Sequence, residues 1–157
     1  MCRLGRLASP ALLLALSLWA PGPAVAEAPD AERQAAAMAQ TVLGQLAAFR
    51  RGDWAGAYAF AAEAIKARFS LDAFREMVTR GYTPIARSLR GTVRRSEVLE
   101  PQHGYVEIRV EGQDGQVIDA VYELVEEQGV WRIAGVLARP VEAEVTAGVP
   151  APPSQAT

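Results

Sequence analysis

Near Leu89 the spacing of apolar residues changes from three and four to two, which divides the chain into a helical half followed by a half made of strands. Before the change, Met38, Val42, Leu46 and Phe49 recur at helical spacing and share one face. Glu27 to Asp30 reads as a short leader, and Arg50, Arg51 and Gly52 end this first helix. Asp53 then has the side chain to cap a second helix, "WAGAYAFAA", with Trp54, Ala57, Tyr58 and Ala61 on one face, and a turn or two, "EAIKARF", follows. Ser70 caps a third helix, "LDAFREMVTR". Its apolar side is Leu71, Phe74, Met77 and Val78, and Gly81 stands where a left-handed cap would end it. Thr83-Pro84 opposes continuation.

From Leu89 to about Val141 the pattern is that of strands separated by Gly-containing turns. Val106, Ile108 and Val110 alternate with Tyr105, Glu107, Arg109 and Glu111, and Ile118, Ala120, Tyr122 and Leu124 alternate with Val117, Asp119, Val121, Glu123 and Val125. A two-residue loop would set Val110 against Asp119 and mix the faces. A three-residue loop, Gln113-Asp114-Gly115 with Gly115 left-handed, aligns Val110 with Ile118, Ile108 with Ala120 and Val106 with Tyr122. For the next hairpin, a two- or four-residue connection sets Leu124 against Trp131, Tyr122 against Ile133 and Ile118 against Leu137, with Gly135 on the same face. The other face holds Arg109 beside Asp119 and Glu123 beside Arg132, with Val121, Ala134 and Val136 between them. Three helices and an antiparallel meander with one greasy face predict an α+β domain in which the helices cover the sheet.

The ends read differently. Arg3 and Arg6, the apolar run at 11 to 20 and Ala24-Val25-Ala26 together predict a signal peptide over residues 1–26 and an exported protein, periplasmic or secreted. Cleavage removes Cys2, the only cysteine, and with it disulfide, thiolate-metal and cysteine-nucleophile chemistry. About 130 residues remain, enough for one domain. That domain is expected over 27–141, with a small, Pro-rich, disordered tail over 142–157. Nothing after the leader is expected to hold a membrane. Removing Arg3 and Arg6 from 16 basic residues leaves 14 against 18 acidic ones, a net charge of −4, which argues against nucleic-acid binding by phosphate neutralisation. The charge is uneven: Ala64 to Arg95 has eight basic and two acidic residues, and the chain from Ser96 has three and eleven. A solvated basic rim that attracts acidic partners is the expected role of the arginines in "RGYTPIARSLRGTVRR".

Three blocks, "QLAAFRRGDWAGAYAFAAEAIKARF", "FREMVTRGYTPI" and "VYELVEEQGVWRIAGV", resemble a bacterial family described as domain of unknown function 4864, within the nuclear transport factor 2-like superfamily. The resemblance covers roughly residues 38 to 139. It implies a cone, with three N-terminal helices packed on a curved antiparallel four-stranded sheet that wraps the first helix. It implies no particular activity, because that superfamily holds ketosteroid-isomerase-like enzymes, dehydratases, small-ligand carriers and protein-binding modules. Ala62-Glu63 departs from the Ser-Pro step that members tend to have there, which leaves the break between the second and third helical pieces open.

Enzymes on such a fold generally hold an ionisable group inside the cone. The inward face read from the register has Tyr122 as its only hydroxyl and no carboxylate or imidazole. Asp119 falls outside, beside Arg109, and His103, the only histidine, falls in a turn, so no multi-His metal site or His-based triad can be assembled. No catalytic residue, metal ligand or cofactor is assigned. Trp54, Tyr58, Tyr82, Tyr122 and Trp131 are the candidates to line an apolar ligand pocket, although aromatics at such spacings are usually core. Strict alternation between Val93 and Leu99 would turn Arg95 and Glu97 inward and make them a polar site at the mouth of the cone; an edge-strand bulge, the expected arrangement, returns them to solvent. The reading that follows is a non-catalytic module for a small apolar ligand or a protein partner, with a homodimer through Val121, Ala134 and Val136 as one arrangement. Its alternative is a cofactor-free isomerase or hydrolase of the ketosteroid-isomerase-like type, using Tyr122, Tyr58 or Glu97.

Overall fold

The stripe Met38, Val42, Leu46 and Phe49 becomes the buried face of one long helix, α1 (Glu27–Arg50), in the computed structural model, which describes residues 27–141. The expected signal peptide and the tail from Glu142 lie outside the described residues. The helix starts at Glu27 rather than after a leader. Pro29 is no obstacle, because the first turn has no intrahelical use for its missing N–H. Gly52, at φ +69°, ends α1: its N–H donates to the Phe49 carbonyl and the Asp53 N–H to that of Ala48.

Asp53 caps α2 (Trp54–Ala59), accepting from the Gly56 N–H at 2.8 Å. This helix is shorter than its sequence pattern, because Phe60 to Ala62 leave it to pair with the last strand. The Ala62 N–H donates to the Ile133 carbonyl and the Ile133 N–H to that of Phe60. That bridge makes the break before α3 (Glu63–Arg68) which Ala62-Glu63 had left open. Ser70 caps α4 (Leu71–Gly81), accepting from the Ala73 N–H. Gly81 is the last helical residue and has no left-handed φ; a four-residue helix, α5 (Thr83–Ala86), turns the chain instead. Leu71 is exposed, while Phe74 and Val78 are buried.

The strands β1 (Ser88–Glu100), β2 (His103–Gly112), β3 (Val117–Glu127) and β4 (Val130–Pro140) form one antiparallel meander in that spatial order. Between β2 and β3, Val110 faces Ile118, Ile108 faces Ala120 and Val106 faces Tyr122, the register of the three-residue loop, with Gly115 at φ +79°. All of these apolar residues are buried beneath α1.

The outer strands depart from simple alternation. In β1 the register shifts between Val93 and Arg95, so Arg95 pairs with Glu107 and Glu97 with Tyr105 on the outer face, which removes them from the mouth of the cone. The same shift turns Ser96 and Val98 inward, opposite Val106 and Gly104, and a further one between Val98 and Glu100 leaves Leu99 63% exposed. In β4 a two-residue turn, Gln128-Gly129 with both φ positive, sets Leu124 against Ile133 and Glu126 against Trp131, two places from the expected register. The pairing then slips at Ala134: Glu123 faces Gly135, Tyr122 faces Val136 and Val121 faces Leu137. Val136 therefore turns inward and Leu137 outward, the reverse of the expectation, and Gly135 lies opposite Glu123 on the outer side. "IAGVLA" is apolar at every position, so no polar residue in it marks which face is wet.

The left-handed Gly115 is what sets the β2–β3 register. Gly115→Ala is expected to lower unfolding stability by about 1 kcal/mol, read as a lower urea midpoint with unchanged slope; an unaltered midpoint would contradict this turn.

Candidate functional site

The inward turn of Val136 helps to form a cavity of about 220 Å³ between the helices and the β3–β4 end of the sheet. Gln45 and Phe49 of α1, Phe74 and Val78 of α4, and Tyr122 and Ile133 of the sheet are its buried walls. Ile65, Met77, Tyr82 and Val136 are half-buried and form its outer part. Among the described residues, every lining side chain apart from Gln45, Tyr82 and Tyr122 is apolar, and none carries a carboxylate, imidazole, ammonium or guanidinium.

These three polar groups are held differently. Gln45 donates through Nε2 to the Ala57 carbonyl at 3.2 Å, which anchors α1 to α2. Tyr82, at the junction of α4 and α5, donates to the Val136 carbonyl at 3.3 Å and so ties that junction to the slipped strand. The Tyr122 hydroxyl is fully buried and has no hydrogen-bond partner among the described residues. Burial, with a smaller contribution from Tyr82, pushes its pKa well above the usual phenol value, so it stays protonated. An unpaired buried hydroxyl of this kind costs roughly 1–3 kcal/mol. Gln45 could have been found from sequence: it stands between Val42 and Phe49 at helical spacing, a polar residue on an otherwise apolar stripe.

Of the five aromatic candidates, only Tyr82 and Tyr122 meet at this cavity. Trp54 packs on Phe49 at 5.3 Å, beneath the Arg75 guanidinium. Tyr58 tilts against Phe74 and donates to the Phe69 carbonyl at 2.5 Å, which fastens α2 to the start of α4. Trp131 lies toward the hairpin tip, opposite Glu126, and its carbonyl accepts from the Thr41 hydroxyl. The two-place offset set by the Gln128-Gly129 turn, with the slip at Ala134 added, moves the partner of Tyr122 from Ile133 to Val136 and so separates it from Trp131, whereas simple strand alternation puts both in one pocket.

A larger depression, about 500 Å³, lies over the outer face, among Arg94, Glu107, Arg109, Asp119, Leu137 and Arg139. Arg109 grips Asp119 with two bonds of 2.7 Å and holds its carboxyl below the usual range. The central charges of this face answer one another, whereas the inner cavity is lined almost wholly by apolar side chains, so the smaller inner cavity is the better ligand site. Val136 is withdrawn from the expected dimer patch, and Ala134 is the slipped residue; the exposed apolar pair here is Val121 and Leu137, 41% and 58% exposed. Arg95 pairs with Glu97, which also accepts from the Tyr105 hydroxyl at 2.9 Å. The arginines of the basic stretch do not converge: Arg80 pairs with Glu76, Arg90 with Glu111 and Arg95 with Glu97. Among the described residues, no group of three or more His, Cys, Asp and Glu side chains could hold a metal, and no helix is long and apolar enough to cross a membrane.

Residues 31–146 match the model of a family described as a domain of unknown function (DUF4864). In structure, the chain is similar to the crystal structure of a nuclear transport factor 2-like protein of unknown function from Shewanella baltica OS155, with a TM-score of 0.51 at 8% identity. The match covers 71% of this chain and 97% of that one, a likeness of fold alone. No curated protein matches the chain.

The half-buried, bonded Tyr58 and the buried Tyr122 make opposite predictions. Tyr58→Phe is expected to lose about 1 kcal/mol with its hydrogen bond, whereas Tyr122→Phe keeps stability or gains up to about 1 kcal/mol by removing an unpaired hydroxyl. Urea denaturation of the two variants checks the contrast, and a clear loss in Tyr122→Phe would mean that its hydroxyl is paired.

Proposed function

From the premise that the chain belongs to the DUF4864 family and has a nuclear transport factor 2-like α+β fold, we propose that it is an exported, non-catalytic module that binds a small apolar ligand inside the cone. The observation that carries this reading is the cavity itself: a modest, largely apolar space between helices and sheet, walled by Phe49, Phe74, Val78 and Ile133. A filled cone would have favoured a module that acts only through its outer surface. At about 220 Å³ the space is below the range typical of drug-sized ligands, so its occupant is small.

The make-up of the wall supports a non-catalytic role. General acid–base chemistry needs a group that titrates near the working pH, and the protonated Tyr122 is far from that condition. Tyr58 donates to a backbone carbonyl away from the cavity, and Glu97 lies across the sheet on its outer face. The three residues on which the isomerase or hydrolase alternative relied therefore do not share a site. Export rests on the charged, apolar and small-residue succession of the first 26 residues.

Native mass spectrometry tests both parts. Protein recovered from the exported fraction should begin at Glu27, and after incubation with a lipid and metabolite extract it should retain a small neutral mass. Met77→Trp, which puts an indole at the outer part of the cavity, should abolish that retention. If the native chain retains no small mass, the ligand reading fails; if the exported protein still contains residues 1–26, the cleavage reading fails.

A further inference from the structure

On the outer face of the sheet, strand pairing lays out two rows of side chains. One is Arg109, Asp119 and Arg139 across β2, β3 and β4, and the next is Glu107, Val121 and Leu137. Both rows line the depression of about 500 Å³, and the bulge in β1 adds Arg94 to it. Arg109 and Asp119 satisfy each other through their two bonds of 2.7 Å. Arg94 and Arg139 are exposed and have no carboxylate at ion-pair distance among the described residues, although Arg139 stands opposite Asp119 in the register. Arg94 is still near enough to help Arg109, the main cause, hold the Asp119 carboxyl below its usual range. Glu107 is the only carboxylate of the depression outside an ion pair, so two open guanidiniums outweigh it by one charge. Beside these charges Val121 and Leu137 face each other across the strands, an apolar pair left in water.

We infer that this face docks an extended segment of a partner protein that carries one acidic residue and, two positions from it, a large apolar one. Spacing is the first reason. The two rows lie two residues apart along each strand, about 7 Å, and in an extended segment the side chains at i and i+2 project to one side at the same spacing. A carboxylate between Arg94 and Arg139 therefore brings the apolar side chain over Val121 and Leu137. Charge is the second reason. A single carboxylate matches the one unbalanced positive charge, whereas a run of acids would set further charges against Glu107 and Asp119. A basic segment would meet Arg94 and Arg139 unpaired, and a wholly apolar one would cover them without giving them a partner. The docking face lies on the opposite side of the sheet from the inner cavity, so it stands whether or not that cavity holds a ligand.

Three acetylated and amidated pentapeptides test this by NMR titration of the exported protein: Ser-Glu-Ser-Leu-Ser, Ser-Gln-Ser-Leu-Ser, and Ser-Glu-Leu-Ser-Ser, in which the acid and the leucine project to opposite sides. The signals followed are the methyls of Val121 and Leu137 and the Nε–H groups of Arg94 and Arg139. The first peptide should move all four saturably and leave the Val78 and Ile133 methyls of the inner cavity in place. The glutamine peptide should bind about fivefold more weakly, the upper range for an exposed ion pair, and added salt should weaken the first peptide more than the second. The double substitution Arg94→Gln, Arg139→Gln, at exposed positions, should make those two peptides equal, and the third peptide should bind the wild type more weakly than the first. Equal affinity of the glutamate and glutamine peptides, equal affinity of the first and third, movement of the inner methyls instead, or no binding at all would each overturn the inference. So would movement of the four signals with protein concentration alone, which would put a second copy on this face. A shift of the two arginine signals on Glu142→Gln, Glu144→Gln without peptide would put the chain's own tail there and overturn it as well.

Discussion

The seating of α1 in the curve of the sheet is the contact on which the rest of the structure depends. Met38, Val42 and Leu46 are wholly buried, and the strands that face them present Val106, Ile108 and Val110, equally buried. Two glycines allow the close approach. A Cβ on Gly91 would stand 2.7 Å from Leu46 Cδ1, and one on Gly104 would stand 2.5 Å from Met38 Sδ. Each large apolar side chain buried in this seam contributes roughly 1.5–3 kcal/mol. A side chain at either position would force Leu46, Ile108 or Met38 to give way, and at Gly104 it would also meet the Glu97 carbonyl at 2.8 Å. The smaller helices have a secondary place, packed around one side of α1, and the cavity is the space that they, α1 and β4 do not close.

Slips in the strand pairing decide what faces that space. A strand slipped by one residue exchanges its inner and outer faces, so the shift at Ala134 brings Val136 to the cavity and sends Leu137 to solvent. The shift beyond Val93 does the same for charge, directing Arg95 and Glu97 away from the cone. Each slip has a local accompaniment. Ile133 is paired on its free edge to Phe60 and Ala62, and the small residues Ala134 and Gly135 follow it. In β1, adjacent arginines at 94 and 95 would otherwise require one charged side chain under the helix. Bulges near rims and sites are a recurrent way to redirect a side chain, and here one of them sets the wall beside Tyr82 and Tyr122.

How much could be read in advance depended on whether polar residues marked the wet face. In β2 and β3, Glu107, Arg109, Asp119 and Glu123 alternate with apolar residues, and that alternation specified both the loop length and three cross-strand pairs. In "WRIAGVLA" nothing polar follows Arg132, and the inner and outer parities looked alike. The same ambiguity affected Val98 and Leu99, of which the second proved to be the exposed one. The candidate pocket shared this limit. Tyr82 and Tyr122 were identifiable as aromatics beside a strand and a helix end, but Trp54, Tyr58 and Trp131 have the same sequence character and other packing partners.

The sequence by itself determined the division into helices and strands, the caps at Asp53 and Ser70, the buried stripe of α1 and the β2–β3 register. These follow from local periodicity, side-chain capping groups and a glycine free to take positive φ, all of which act over a few residues. Only the tertiary structure decided the slip in β4, the break of α2 against Ile133, the cavity and the unpaired state of the Tyr122 hydroxyl. Those features depend on which groups meet across long stretches of chain: the Tyr122 hydroxyl is buried without a partner among the described residues, while Gln45 and Tyr82 reach the Ala57 and Val136 carbonyls.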